Sequence, residues 1–287
     1  MTKLIYPSSS LDFGFQRDFL NGYHMRYKHL DWLDEKSRLE KPLAYTLIEK
    51  DDIVAMLSCH PENPHTAWIR YFVCVRNIDY LTAFKSLLDT ALEELKKNNI
   101  AQLLSLGMPE WFGRLLVNNG FKIHSQIITL YLDATEYKAL PFTDKQPNSS
   151  YTIRRMAEED MMSVFSIDKY AFSSEWQLGF QNLKACYKAS EDSFVAEYEG
   201  ELIAYLMSER FFSNQHISRL AVHPEHHGKS LGPLLVNAMI ESALLTGVEQ
   251  FSVNTNSINN QGIRAYQKLG FVKSDHSMPV YACSVLE

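Results

Sequence analysis

Apolar residues at positions 81, 84, 87, 88, 91, 92 and 95 (Leu, Phe, Leu, Leu, Ala, Leu, Leu) recur at three- and four-residue steps, the stripe of an amphipathic helix. A second helix is predicted to open at Gly232-Pro233, to carry Leu235, Ala238, Met239, Ser242 and Leu245 on one face, and to stop at Gly247. Short β-rich runs lie before and after each helix, at residues 51–58, 68–75, 201–208, 217–222 and about 250–254. Helices and strands thus alternate, which predicts an α/β or α+β fold.

The pattern runs twice. Ile53 and Ser58 in one strand match Ile203 and Ser208 in another, 150 positions on (203 − 53 = 150). At the same offset, Arg114-Leu-Leu-Val-Asn-Asn-Gly-Phe121 matches Arg264-Ala-Tyr-Gln-Lys-Leu-Gly-Phe271, each a helix ending at a glycine and running into a strand. Between the copies, residues 134–150 read ATEYKALPFTDKQPNSS, the most linker-like stretch of the chain. We therefore expect a domain at 1–136, a linker at 137–150 and a second domain at 151–287.

Composition narrows the function classes. An apolar fraction of 46% and a charged fraction of 22% are ordinary for domains with real cores. The net charge of −6 argues against a dedicated nucleic-acid binder. Cys59, Cys74, Cys186 and Cys283 are too far apart for a zinc site or disulfide framework, so free thiols are expected. No stretch approaches the roughly 20 apolar residues needed to cross a bilayer, and the start of the chain lacks an apolar leader core. These features lead us to expect a cytoplasmic protein with no membrane partner.

The richest chemistry lies in Ser218-Arg-Leu-Ala-Val-His-Pro-Glu-His-His-Gly-Lys-Ser-Leu-Gly-Pro. A strand here meets a two-glycine turn and then a helix, which points several backbone N–H groups and the helix dipole at one place. A pyrophosphate fits such a joint. Gly228-Lys229-Ser230 is also the tail of a nucleotide-binding P-loop. The first glycine of that motif, however, would fall at His223, followed by Pro224, so the ATP reading is poor. His223, His226 and His227 match no common metal spacing, and we expect no metal.

The same loop resembles that of the GNAT superfamily of acyl-CoA N-acyltransferases. Downstream, Asn259-Asn-Gln-Gly-Ile-Arg-Ala-Tyr266-Gln-Lys-Leu-Gly-Phe271 resembles that family's second signature. Upstream, Tyr151-Thr-Ile-Arg-Arg-Met resembles its first strand, so the likeness spans about residues 151–285. His227 stands where arginine or glutamine is usual, Ser230 replaces a common glycine, and Gly262 replaces an alanine.

The resemblance implies two tandem domains, each a mixed, mostly antiparallel sheet flanked by helices. It implies acetyl-CoA as co-substrate and a primary amine as acceptor, either a small molecule or a protein N-terminus. Leu220, Ala221 and Val222 would line the pantetheine and thioester. His227, Gly228, Lys229, Ser230, Leu231 and Gly232 would hold the pyrophosphate, with Asn254 and Asn259 as further CoA contacts. Tyr266 would protonate the departing thiolate. His216, which alternates with Ser218, Leu220 and Val222 on one strand face, is either the general base or a surface histidine, and Glu209 is the second candidate base. Phe172 and Trp176 would touch the acceptor.

The first copy keeps the layout without this chemistry. Its loop reads Arg-Asn-Ile-Asp-Tyr, with no glycine and an aspartate that would repel phosphate, and Leu116 stands at the tyrosine position. We expect a degenerate domain that binds no CoA. A non-catalytic CoA-binding sensor is the alternative to an enzyme.

Overall fold

The computed structural model describes residues 3–22, 24–139 and 151–286. They form two compact units, one of residues 1–125 with 278–287 and one of residues 126–277.

Unit one runs β1 (Lys3–Pro7), α1 (Phe13–Leu20), β2 (Met25–Lys28), α2 (Glu35–Glu40), β3 (Ala44–Glu49), β4 (Asp52–Pro61), β5 (Thr66–Cys74), α3 (Tyr80–Lys97), β6 (Gln102–Leu106) and α4 (Glu110–Asn118). β7 (Lys122–Asp133) then leaves it. Unit two continues with β8 (Tyr151–Arg155), α5 (Met161–Ala171), α6 (Phe180–Ala189), β9 (Asp192–Tyr198), β10 (Glu201–Phe211), β11 (Asn214–Val222), α7 (Leu231–Leu244), β12 (Gln250–Asn256) and α8 (Asn260–Gln267). The last strand, β13 (Val272–Ser284), returns to unit one.

Both sheets follow one plan. In unit one the order is β1-β3-β4-β5-β6, with only β5 and β6 parallel, and residues 280–284 of β13 close it against β6. In unit two the order is β8-β9-β10-β11-β12, with only β11 and β12 parallel, and residues 127–133 of β7 close it against β12. A mixed, mostly antiparallel sheet flanked by helices is what the sequence led us to expect.

Strand pairing, rather than linker composition, decides membership of a unit. Residues 126–136 therefore belong to unit two, and 278–287 belong to unit one. Composition had suggested boundaries at 136 and 151. Of the expected linker, residues 140–150 lie outside the described residues.

The plan extends to a local irregularity. In β10–β11, Met207 faces Arg219 but Ser208 faces Ile217, leaving Ser218 as the extra residue of a β-bulge. In β4–β5, Ser58 faces Tyr71 but Cys59 faces Ile69, leaving Arg70. The two bulges lie one residue apart on the matched strands, the shift following Ser58 in unit one and preceding Ser208 in unit two, and both serines are buried.

The helices bury the stripes their spacing predicts. On α3, Ala83, Phe84, Leu87, Leu88, Ala91 and Leu95 are buried while Leu81 is exposed. On α7, Leu231, Leu235, Val236, Met239, Ile240 and Ala243 join Leu206, Ile217, Phe251 and Val253 in the core of unit two. Each such Leu or Ile contributes about 1.5–3 kcal/mol. Leu245, expected on that face, is 89% exposed, because the helix ends one residue before it. No helix among the described residues is long and apolar enough to cross a membrane.

Candidate active site

β11 and β12 separate partway along. Their parallel pairing covers residues 214–217 against 250–253 and goes no further. From the bulge at Ser218 onward, β11 is held by β10 alone, so the edge of residues 218–222 is left without a strand beside it among the described residues. The expected contacts Leu220, Ala221 and Val222 lie on this stretch.

The chain then turns into α7. The N–H of His223 donates to Ile203 O at 2.7 Å, and a single 3-10 turn covers Pro224–His226. Gly228 at φ +76° and Ser230 at φ +59° take left-handed conformations, which turn the chain sharply between β11 and α7. No protein acceptor among the described residues receives the N–H groups of Gly228, Lys229, Ser230, Leu231 or Gly232. The first turn of a helix always leaves such donors open, and Pro233 falls where an N–H would be orphaned anyway. A row of open amides at the positive end of a 14-residue helix is an anion cradle.

The side chains of the loop are tied locally. His227 Nε2 lies 2.9 Å from Val222 O, and a carbonyl can only accept, so this nitrogen carries the proton. His227 thus clips the loop to the end of β11. The Lys229 ammonium sits 5.7 Å from the ring centres of both Tyr151 and Tyr198. A Cβ added at Gly232 would touch Leu220 and Val222 only at ordinary distances of 3.9 and 4.0 Å, so protein packing alone does not demand glycine there.

The two candidate bases are neighbours. Glu209 on β10 faces His216 on β11 directly. His216 Nδ1 is 2.9 Å from Ser252 Oγ, and Ser218 Oγ donates to Glu209 Oε1 at 2.6 Å. Burial pushes the His216 pKa below the ordinary histidine value, and the Glu209 carboxylate opposes the shift. The expected face needs correction. The bulge at Ser218 breaks the alternation, so His216 shares a face with Glu209, Arg219 and Ala221, opposite Leu220 and Val222.

Tyr266 lies on α8 with only 6% of its surface exposed, its ring 5.6 Å from that of Phe271. Burial raises its phenol pKa, and no hydrogen bond reaches its hydroxyl among the described residues. Asn259 caps α8: its Oδ1 accepts from Gly262 N at 3.0 Å and its Nδ2 donates to Thr255 Oγ1 at 3.0 Å. The glycine at 262 belongs to that arrangement, since a Cβ there would come within 2.5 Å of Asn259 Nδ2. Asn254 Oδ1 accepts from Thr129 Oγ1 at 2.8 Å.

Phe172 and Trp176 converge on a residue that sequence reading passed over, Arg219. The Phe172 ring centre lies 3.6 Å from its guanidinium carbon, and Trp176 O accepts from Nη2 at 2.7 Å. The available signal was a lone arginine inside the run Ile-Ser-Arg-Leu-Ala-Val.

A model of the acetyltransferase (GNAT) family matches residues 152–271. The second unit is a GNAT-family N-acetyltransferase domain. Among curated relatives, a protein assigned as a ribosomal protein bS18 alanine N-acetyltransferase of Bacillus subtilis is 25% identical over 118 residues, 41% of this chain and 78% of that protein. An N-alpha-acetyltransferase of Sulfurisphaera tokodaii is 26% identical over 147 residues, 46% of this chain and 86% of that protein. A solved structure from Enterococcus faecalis, described as a probable N-acyltransferase, matches 100% of this chain and 73% of its own at a TM-score of 0.68, with 12% identity. That likeness speaks for the fold alone.

Unit one closes every feature that the GNAT domain leaves open. At β5, residues 71–74 pair with β2 on the side where the equivalent stretch of β11 is bare. Tyr27 of β2 is buried, stacks on Phe112 of α4 with centres 3.9 Å apart, and donates from its hydroxyl to Ile69 O at 3.3 Å. At the start of α3, Asp79 Oδ1 accepts from Leu81 N and Thr82 N at 3.0 and 3.4 Å, so the helix end is capped by its own carboxylate. Leu116 is fully buried where Tyr266 stands in unit two.

Proposed function

We propose that unit two moves an acetyl group from acetyl-CoA to a primary amine by direct attack in a ternary complex, and that unit one binds no CoA. The observation carrying this reading is the bare edge of β11 beside the open amides of residues 228–232. Pantetheine is a chain of amides that can hydrogen-bond to a strand edge as an added strand would, while its pyrophosphate needs N–H donors at one end. Site and ligand match in both chemistry and order.

Leu220, Ala221 and Val222 would then flank the thioester, where a backbone N–H stabilises the tetrahedral oxyanion. His216, held by Ser252 and facing Glu209, removes a proton from the incoming ammonium; burial lowers its pKa and so favours the neutral ring that can accept one. The amine nitrogen attacks the thioester carbon, the C–S bond breaks, and the thiolate takes a proton. Tyr266 supplies or orients that proton. A thiolate is a weaker base than a phenolate, so orientation contributes as much as acidity. The four cysteines are free, which suits work in the reducing cytoplasm.

The test is thiol release from acetyl-CoA on addition of primary amines. We expect amine-dependent release, with His216→Ala and Glu209→Gln each about 10²-fold slower, the usual scale for general-base loss. Tight acetyl-CoA binding without release over a broad amine panel would instead mark a CoA-binding sensor.

A further inference from the structure

Arg219 is held on three sides and open on one. Its Nε donates to Asp168 Oδ2 at 2.8 Å, and Nη2 reaches Trp176 O and the same carboxylate, each at 2.7 Å. Asp168 is fully buried and also accepts from the Tyr205 hydroxyl at 2.6 Å and from Leu178 N at 3.2 Å. Phe172 covers the guanidinium plane. Nη1 has no protein acceptor among the described residues, and the side chain keeps 11% exposure, so this nitrogen reaches solvent. An anchored guanidinium offering one nitrogen is a preorganised donor.

Register places that donor. Arg219 pairs with Met207 and His216 pairs with Glu209, so all four side chains rise from one face of β10–β11. Arg219 therefore rises from the same face as the proposed base, with the Phe172 ring over its guanidinium and the main-chain carbonyl of Trp176 on Nη2.

Charge decides what it can take. Arg219 is already paired with Asp168, and Glu209 stands as a further carboxylate on this face, opposite His216. That favours an ammonium and disfavours a second carboxylate. The group left for Nη1 is a neutral oxygen acceptor. We propose that Arg219 Nη1 binds the carbonyl oxygen of an α-aminoacyl amide, the group at the start of a peptide, and so selects this class over simple alkylamines and free amino acids. The assignment rests on the acetyltransferase reading of the same site.

The wild-type protein tests it with three acceptors of similar size: alaninamide, alanine and isopropylamine, each kcat/KM corrected to the free-amine form. Alaninamide should lead both others by about tenfold or more, the scale of one charge-assisted hydrogen bond. Arg219→Lys, which keeps the charge beside Asp168 but loses the fork, should collapse that ratio mainly through KM for alaninamide. Equal corrected values for alaninamide and isopropylamine, or a lead for alanine, would overturn the assignment and leave the acetyltransferase reading standing. Failure of every amine to accept acetyl would overturn both.

Discussion

In unit one, residues 71–74 of β5 have β2 along their free side, and the following helix begins under the Asp79 carboxylate. In unit two, among the described residues, the matching stretch of β11 has no strand there, and the turn into α7 carries five amides that no protein group accepts. Strand order and the parallel pair are otherwise the same, and each unit carries a bulge within one residue of the matched serine. The splay between the two parallel strands is thus a property of the fold, and what fills it is a property of the sequence. Four residues of β2 and the Asp79 cap fill in unit one what unit two leaves open.

That contrast can be broken from the unit-one side. Tyr27→Ala removes the ring that fixes β2 against Phe112, and should destabilise unit one by about 3–5 kcal/mol in a denaturant titration, the cost of emptying a buried aromatic site. Acetyl-CoA binding should be unchanged. New CoA binding by this variant would mean that β2 alone conceals a competent site.

Acid should separate the units next. His29 is pushed well below the ordinary histidine pKa by burial and by Arg70 and Arg38, and burial takes His60 to about 4. Both belong to unit one. A depressed folded-state pKa means that the unfolded chain binds the proton first. The stability these groups contribute is therefore present above about pH 6.5 and is lost as pH falls from there toward the folded-state values. We expect unit one to become protease-sensitive between about pH 6 and 4, with a smaller effect in unit two, where His216 and His226 are also lowered. Loss of unit two first would contradict this.

The smallest effect is expected at Asp79. Asp79→Ala uncaps α3 and should lower Tm by about 2–4 °C. It should give unit one no affinity for acetyl-CoA, because β2 still occupies the strand edge.

Much of this was legible in the residues. The helix stripes of α3 and α7, the duplicated landmarks and the glycine loop follow from local periodicity and turn chemistry, which act over a few residues. Three things were not. The bulge at Ser218 turned the face of His216, and a one-residue insertion leaves no mark in an alternating pattern. The pairing of β7 with β12 and of β13 with β6 joins segments more than 100 residues apart, which no local signal encodes. Arg219 looked like an interruption in an apolar strand until Asp168, Phe172 and Trp176 were found around it.

Calorimetric titration with acetyl-CoA tests the central contrast most directly, with Gly232→Trp beside the wild type and circular dichroism to show that both are folded. The wild type should show one site per chain, with affinity about 100-fold weaker or more when an indole is placed over the amides of the α7 turn. Two sites per chain, or binding that survives Gly232→Trp undiminished, would contradict it.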